Sequence, residues 1–248
     1  MLFFVGAISC DRKKEPEGNY FLEFRPRECN FIFAVPGYIE KTVYQGNTYS
    51  DYKFYSETNS FPPQSFFLNV ETHNMNIEKL FSELEDAYSE VSLNLDEPIP
   101  DLETQIELNY RKKNATSSDL KSALDYTAMI VMEYRIDGVR NFKISALDKL
   151  FDQEPGTSLN EYFKIIRYDP DFIASSDTHN LLYGFSDKDK PEAIDEWLSL
   201  SPLSPAQMYF AFREVPDDLP DSIQFVVEME TDKGKVLRDT SQVIQFNR

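Results

Sequence analysis

Two histidines, two cysteines and 43 acidic side chains are what this 248-residue chain offers for catalysis. A histidine-based triad needs a nucleophile and an orienting acid brought to His73 or His179 by the fold. The nearest arrangement along the chain is Asp177-Thr178-His179 beside Ser175 and Ser176, with no Gly-x-Ser-x-Gly turn; a polar loop accounts for the same residues. Cys29 has no flanking signature of a catalytic thiol. For metals, His-x-x-x-His, Cys-x-x-Cys and the EF-hand loop are all absent from the sequence. Asp169-Pro170-Asp171, Asp187-Lys188-Asp189 and Asp217-Asp218 with Asp221 carry oxygens suited to Ca²⁺, yet a chain this acidic produces such stretches by composition alone. Two carboxylates held about 5 to 9 Å apart hydrolyse a glycosidic bond, and sequence singles out no pair. The 8 glycines are scattered singly, so no phosphate-cradling loop exists. These residues name no catalytic group, no metal and no cofactor, and the expectation is a non-enzymatic protein.

One residue does carry a specific chemical expectation. Met1 to Cys10 is an uninterrupted apolar run closed by a cysteine, followed at once by the charged stretch Asp11-Arg12-Lys13-Lys14-Glu15. The pattern resembles the end of a bacterial lipoprotein signal peptide, with Ala7-Ile8-Ser9-Cys10 as lipobox and Cys10 as the lipid attachment site. A first β-strand is the alternative use of such a run. A helix needs about 20 residues to cross a bilayer, so the run fits an anchor and not a span. Residues 11–19, with Pro16 and Gly18, then read as a tether.

Charge narrows the partners. An excess of 43 acidic over 25 basic residues gives −18, which repels phosphate backbones and excludes nucleic acid as an expected partner. The basic cluster Arg111-Lys112-Lys113 reads as a solvated turn. With Cys10 lipidated, Cys29 has no mate and a disulfide framework is excluded. Twenty Phe and 14 Tyr against 8 Gly indicate a packed β-rich body. Tyrosine serves such a body twice, since its ring packs a sheet face or stacks on a sugar or partner while its hydroxyl stays wet.

The elements that would position these residues are mostly strands. Aromatic and β-branched runs at 20–24, 31–35 and 65–70 are punctuated by Pro26, Pro36-Gly37, Gly46-Asn47 and Pro62-Pro63. Asn76 to Val91 changes period, its apolar residues falling on one side of a helix with acids opposite. Pro98 and Pro100 mark a loop over 96–104 and a boundary between two parts, 20–95 and 105–248, which the same pattern also allows to be one continuous domain. In the second part, Tyr126 to Ile136 and Val139 to Leu147 alternate with period two. Asp137-Gly138 between them supplies two positions that tolerate positive φ, so a hairpin is expected there. Ile223 to Thr231 and Val236 to Phe246 predict a second hairpin around Asp232-Lys233-Gly234. Ser158-Leu159-Asn160-Glu161 has capping-box form and predicts a short helix through Ile166; Asp189-Lys190-Pro191-Glu192 predicts another, with Ile194, Trp197 and Leu198 inward and Ser201-Pro202 as its stop. Met208 to Arg213 reads as a strand. The sum is a mainly β (α+β) protein, an antiparallel β-sandwich-like body with a few short helices packed on it.

The lipobox-like start, the stretches 155–163 (Pro155 to Phe163) and 196–202 (Glu196 to Pro202), and the closing Gln224 to Thr231 are together similar to an uncharacterised envelope lipoprotein family of the Bacteroidetes type. The resemblance covers roughly 124–246. It implies a lipid-anchored location in the cell envelope, at the outer membrane with a periplasmic or surface face, and transfers no catalytic residue. The expected function is a membrane-anchored envelope lipoprotein that binds a protein partner or an envelope glycan. The alternative is a carbohydrate-binding module or a carboxylate-dependent glycan hydrolase.

Overall fold

The computed structural model describes residues 20–55, 60–76, 98–102, 128–169 and 191–247. Twelve strands account for most of them: β1 (Tyr20–Arg27), β2 (Phe31–Tyr44), β3 (Asn47–Phe54), β4 (Phe66–His73), β5 (Ala128–Arg135), β6 (Val139–Ala146), β7 (Phe163–Asp169), β8 (Gln207–Phe212), β9 (Ser222–Ile223), β10 (Phe225–Thr231), β11 (Val236–Thr240) and β12 (Ile244–Gln245). One sheet has the order β3-β2-β4-β8-β7, antiparallel throughout. A second has the order β11-β10-β6, also antiparallel, and β12 pairs with β9. β1 and β5 form a parallel pair in full register, Tyr20 with Ala128 to Arg27 with Arg135.

Alternation decides which side chains meet. In the five-stranded sheet Phe66, Leu68 and Val70 of β4, Met208, Phe210 and Phe212 of β8, and Phe163 and Ile165 of β7 enter one core. From the facing sheet come Phe142, Ile144 and Ala146 of β6 and Phe225, Val227 and Met229 of β10. Rings interlock across the interface: Phe142 stacks on Phe210 at 5.1 Å, Phe66 on Phe225 at 5.4 Å, and Phe163 meets Phe225 edge-on at 5.6 Å. Two sheets sharing one apolar layer make a β-sandwich-like body. Strands from before and after residue 100 lie side by side in it, since β4 pairs with β8. The helix α1 (Ile194–Ser199) caps one end, burying Trp197 edge-on against Phe142 at 5.8 Å. It begins after Ala193, with Asp195 and Glu196 in the first turn where the helix dipole favours acids, and stops before Ser201 at φ 52 and Pro202.

The last hairpin forms as its alternation predicts: β10 pairs with β11 around Asp232-Lys233-Gly234, with Gly234 at φ 78. Two other expectations fail. Residues 128–135 and 139–146 are both strands, but β5 pairs with β1 and β6 with β10, so no hairpin joins them. Gly138 is not at positive φ. Its missing side chain instead admits Asp232, whose Oδ2 would lie 2.8 Å from a Cβ at that position. The helix expected from Ser158 to Ile166 is only a 3-10 turn, Asn160–Tyr162, running into β7. There β8 pairs with Phe163 and Ile165 before the register shifts at Ile165/Arg167, and tertiary pairing overrides a capping signal worth about 1 kcal/mol. The helix predicted from Asn76 to Val91 lies outside the described residues apart from its exposed first residue, Asn76.

Candidate functional site

Two regions concentrate chemistry-bearing side chains. The first is where the hairpin reading failed. Asp137, 0% exposed, accepts a 2.7 Å hydrogen bond from the Cys29 backbone N–H, and its side chain pairs with Lys233 at 2.6 Å and Lys235 at 4.0 Å. The Lys233 contact is a close ion pair without the alignment of a hydrogen bond, because Oδ1 has no directional partner. The Asp137 carbonyl accepts from the Ser204 N–H (2.7 Å) and hydroxyl (3.0 Å). Lys235 also donates to Asn30 Oδ1 at 2.6 Å and to the Cys29 carbonyl at 3.3 Å. Close by, the buried Arg135 guanidinium donates from Nε to Thr72 Oγ1 (2.9 Å), to the Thr72 carbonyl, and from Nη1 to Glu133 (2.8 Å).

A cysteine, a serine, an aspartate and basic groups within one cluster invite a nucleophilic reading, and the electrostatics oppose it. Burial pushes the Cys29 thiol up to about 11, with the Ser204 hydrogen bond, Arg135 and Lys235 opposing and Asp137 assisting. The thiolate is the nucleophilic form, so at neutral pH this sulfur is a small buried apolar group. His73 does not serve it: its ring lies edge-on to Phe33 at 5.7 Å and 3.5 Å from Glu71 Oε2. The cluster is a cross-brace tying β1, β5, β6 and the β10–β11 turn together.

The second region is the β2–β3 ribbon. β4 accompanies β2 only as far as the pair Tyr38–Phe66, while β2 and β3 continue together to the pair Tyr44–Asn47. Gln45 (φ 51) and Gly46 (φ 81) turn the ribbon; two positive-φ residues match strand twist in a two-residue hairpin. Residues 40–50 are exposed throughout. Cross-strand partners share a face, which places Tyr44, Thr42, Glu40, Tyr49 and Asp51 on one side and Val43, Lys41 and Thr48 on the other. Val43 is 73% and Tyr44 64% exposed; Tyr49 and Phe54 are exposed as well. At the ribbon's root an open groove runs between Tyr38-Ile39-Glu40 and Ser60-Phe61-Pro62. Its walls are braced by Tyr38 stacked on Phe61 at 5.1 Å, and Glu40 is the acid on its lining, 3.9 Å from Lys53.

Among the other sequence candidates, Asp218 is a turn clamp rather than a Ca²⁺ ligand. It accepts from the N–H groups of Phe151 and Asp152, each at 2.9 Å, and so holds a turn in which both residues have positive φ. Partial burial raises its carboxyl, but these N–H groups and Lys149 bring the balance below the ordinary range. Among the described residues no group of three or more His, Cys, Asp or Glu is placed to hold a metal. Cys10, His179 with Asp177, Ser175 and Ser176, and the stretch 187–189 lie outside the described residues. The ribbon was the site that sequence inspection undervalued. Its signal was the alternation of Tyr38, Glu40, Thr42 and Tyr44 running into Gly46, which marks a hairpin but not its projection beyond the sheet. Comparison of the chain with protein-family models, with curated proteins and with solved structures finds no match.

Proposed function

We propose that this chain is a non-enzymatic lipoprotein of the cell envelope, anchored through Cys10, whose β-sandwich-like body binds a protein partner through the β2–β3 ribbon. The observation that carries the reading is the gathering of Val43, Tyr44 and Tyr49, three of the eight exposed large apolar side chains among the described residues, on the part of the ribbon that projects beyond β4. Aromatic and aliphatic side chains held away from the body, on a chain of −18 charge, fit an interface better than a core. A glycan platform is less well supported, because the rings at the groove stack on each other. A two-carboxylate hydrolase is less well supported, because among the described residues Glu40 is the one acid on the groove lining, its cross-strand neighbour Asp51 lying outside it. The anchor rests on the apolar run closed by Cys10.

Two measurements test this. Intact mass of the membrane-extracted protein should show a diacylglyceryl-modified Cys10 as the first residue, and an unlipidated chain in the soluble fraction removes the anchor. A photoreactive residue at position 44 should give one discrete cross-linked protein in envelopes, abolished by Tyr49→Ser. A cross-link pattern no different from that of a probe at exposed Asp217 removes the ribbon as the interface.

A further inference from the structure

The ribbon has an unfilled strand position. The β2 backbone is directional: the Tyr55 N–H donates to the Pro36 carbonyl at 2.9 Å on the β3 side, and the Ala34 N–H donates 2.7 Å to Asp239 on that same side, where β3 has not yet begun. Even-numbered residues of β2 therefore point their backbone groups toward β3, and by the alternation of an antiparallel ladder the odd-numbered ones point the other way. As far as Gly37 those odd groups meet β4. Beyond it, β4 is absent: Pro62 and Pro63 turn the chain aside through a 3-10 turn, Pro63–Ser65, and the Ser65 N–H bonds back to Pro62. No residue of β4 pairs with β2 beyond Tyr38, so the outward N–H and C=O groups of Ile39, Lys41 and Val43 face this gap with no neighbouring strand among the described residues. The groove lies at the same place, between Tyr38-Ile39-Glu40 and Ser60-Phe61-Pro62. The Asp239 contact shows how the fold treats an equivalent gap that it closes itself.

We infer that the open edge of β2 from Ile39 to Val43 accepts an extended, net-positive peptide segment of a partner protein as an added strand in line with β4. This rests on the protein-binding reading above and supplies its mode. The occupant follows from charge. A second copy would bring another −18 against this one, whereas a basic segment is steered toward the chain and meets Glu40 on the groove wall. Main-chain bonds to Ile39, Lys41 and Val43 give affinity, and alternate side chains lie against Tyr44 and Glu40 on one face and Val43 on the other.

The probe is the peptide acetyl-(Lys-Val)4-amide, titrated into the full-length, detergent-solubilised chain and followed by amide hydrogen exchange. Exchange at Ile39, Lys41 and Val43 should slow by roughly tenfold or more at saturation. The Lys41→Pro variant removes an outward N–H but no bond to β3, a position where a strand tolerates proline; it should weaken binding roughly tenfold with an unchanged melting temperature. The same peptide N-methylated at every residue, which leaves the protein untouched, should lose binding to a similar extent. The proposal is overturned if the probe does not bind, if its N-methylated form binds equally, or if protection appears at Thr48, Ser50, Tyr52 and Phe54 on the other edge. A position-44 cross-link to a partner that survives Lys41→Pro would remove strand addition and leave the ribbon as interface.

Discussion

The Asp137 junction and the β2–β3 ribbon draw on similar residue types, and they differ in where their polar groups are spent. At the junction a buried carboxylate, two lysines, a serine and a backbone N–H turn on one another, and the thiol among them is held protonated. On the ribbon, backbone groups and tyrosines face outward, and Glu40 approaches Lys53 only at 3.9 Å. A dense polar cluster is thus the inert part of this molecule, and a plain alternating hairpin is the part with valency to offer. Residue types that could do chemistry are no guide until the fold decides which of them solvent can reach.

The largest expected effect sits where the ribbon leaves the sheet. A Cβ at Gly37 would lie 2.3 Å from Phe67 Cζ and 2.6 Å from the Lys53 carbonyl oxygen, which is backbone and cannot rotate away. Gly37→Ala should cost about 3 kcal/mol and lower the melting temperature by roughly 6–12 °C. A variant that melts with the wild type would show that β2 and β3 do not approach this closely. Gly138→Ala is the control: the obstructing atom is the end of the exposed Asp232 side chain, and the cost should stay below about 1 kcal/mol.

Next comes an asymmetry inside the junction. Lys233→Met leaves the Asp137 carboxylate buried with only Lys235, 4.0 Å away, and should destabilise by about 2 kcal/mol, less than a fully buried pair because Lys233 is 49% exposed. Asp137→Asn keeps an oxygen for the Cys29 N–H, releases the half-exposed Lys233 to solvent and leaves Lys235 bonded to Asn30 and the Cys29 carbonyl, at about 1 kcal/mol. Urea denaturation ranks the two, and the reverse order would mean that the charge itself stabilises the fold.

The same cluster gives a pH signature. Because the folded thiol titrates at about 11 against an ordinary 9.0, the unfolded chain sheds its proton first as pH rises. Cys29 therefore contributes stability that is fully present below pH 9 and declines between 9 and 11, with Cys29→Ala showing a shallower fall over that window. Equal slopes in the two proteins would place the thiol in contact with solvent. The smallest effect belongs to the ribbon tip, where Tyr44→Ser with Tyr49→Ser should shift stability by no more than about 0.5 kcal/mol while abolishing partner capture. A large loss of stability would turn those rings into structural contacts.

Alternation read correctly at β10–β11, whose strands are close in sequence, and at β8. It misjudged Asp137-Gly138 because a turn signal is local, while the burial of Asp137 depends on Lys233 almost a hundred residues away. Ser158 to Ile166 misled for a related reason: Phe163 and Ile165 satisfy a helical stripe and a strand face equally, and only β8 chooses between them. The open edge of β2 was invisible in sequence, since it consists of a neighbour that stops early. Pro62-Pro63 announced the stop but not which strand would be left uncovered.

The pairing of β4 with β8 and of β1 with β5 has a consequence for how the molecule comes into being. Residues 66–73 pair early with β2 but wait for 207–212 to cover their second edge, and 20–27 wait for 128–135 before gaining a neighbour. Such wiring has high contact order, with loop closure preceding most of the stabilising contacts, and it makes folding slow. A nascent chain that has emerged only through β4 holds Phe66, Leu68 and Val70 with no opposing layer, so the core closes only after Phe225 to Met229 have been made. Until then its apolar strand faces are exposed and aggregation-prone, and a chaperone that recognises extended aromatic segments has its window of action before Met229 has been made.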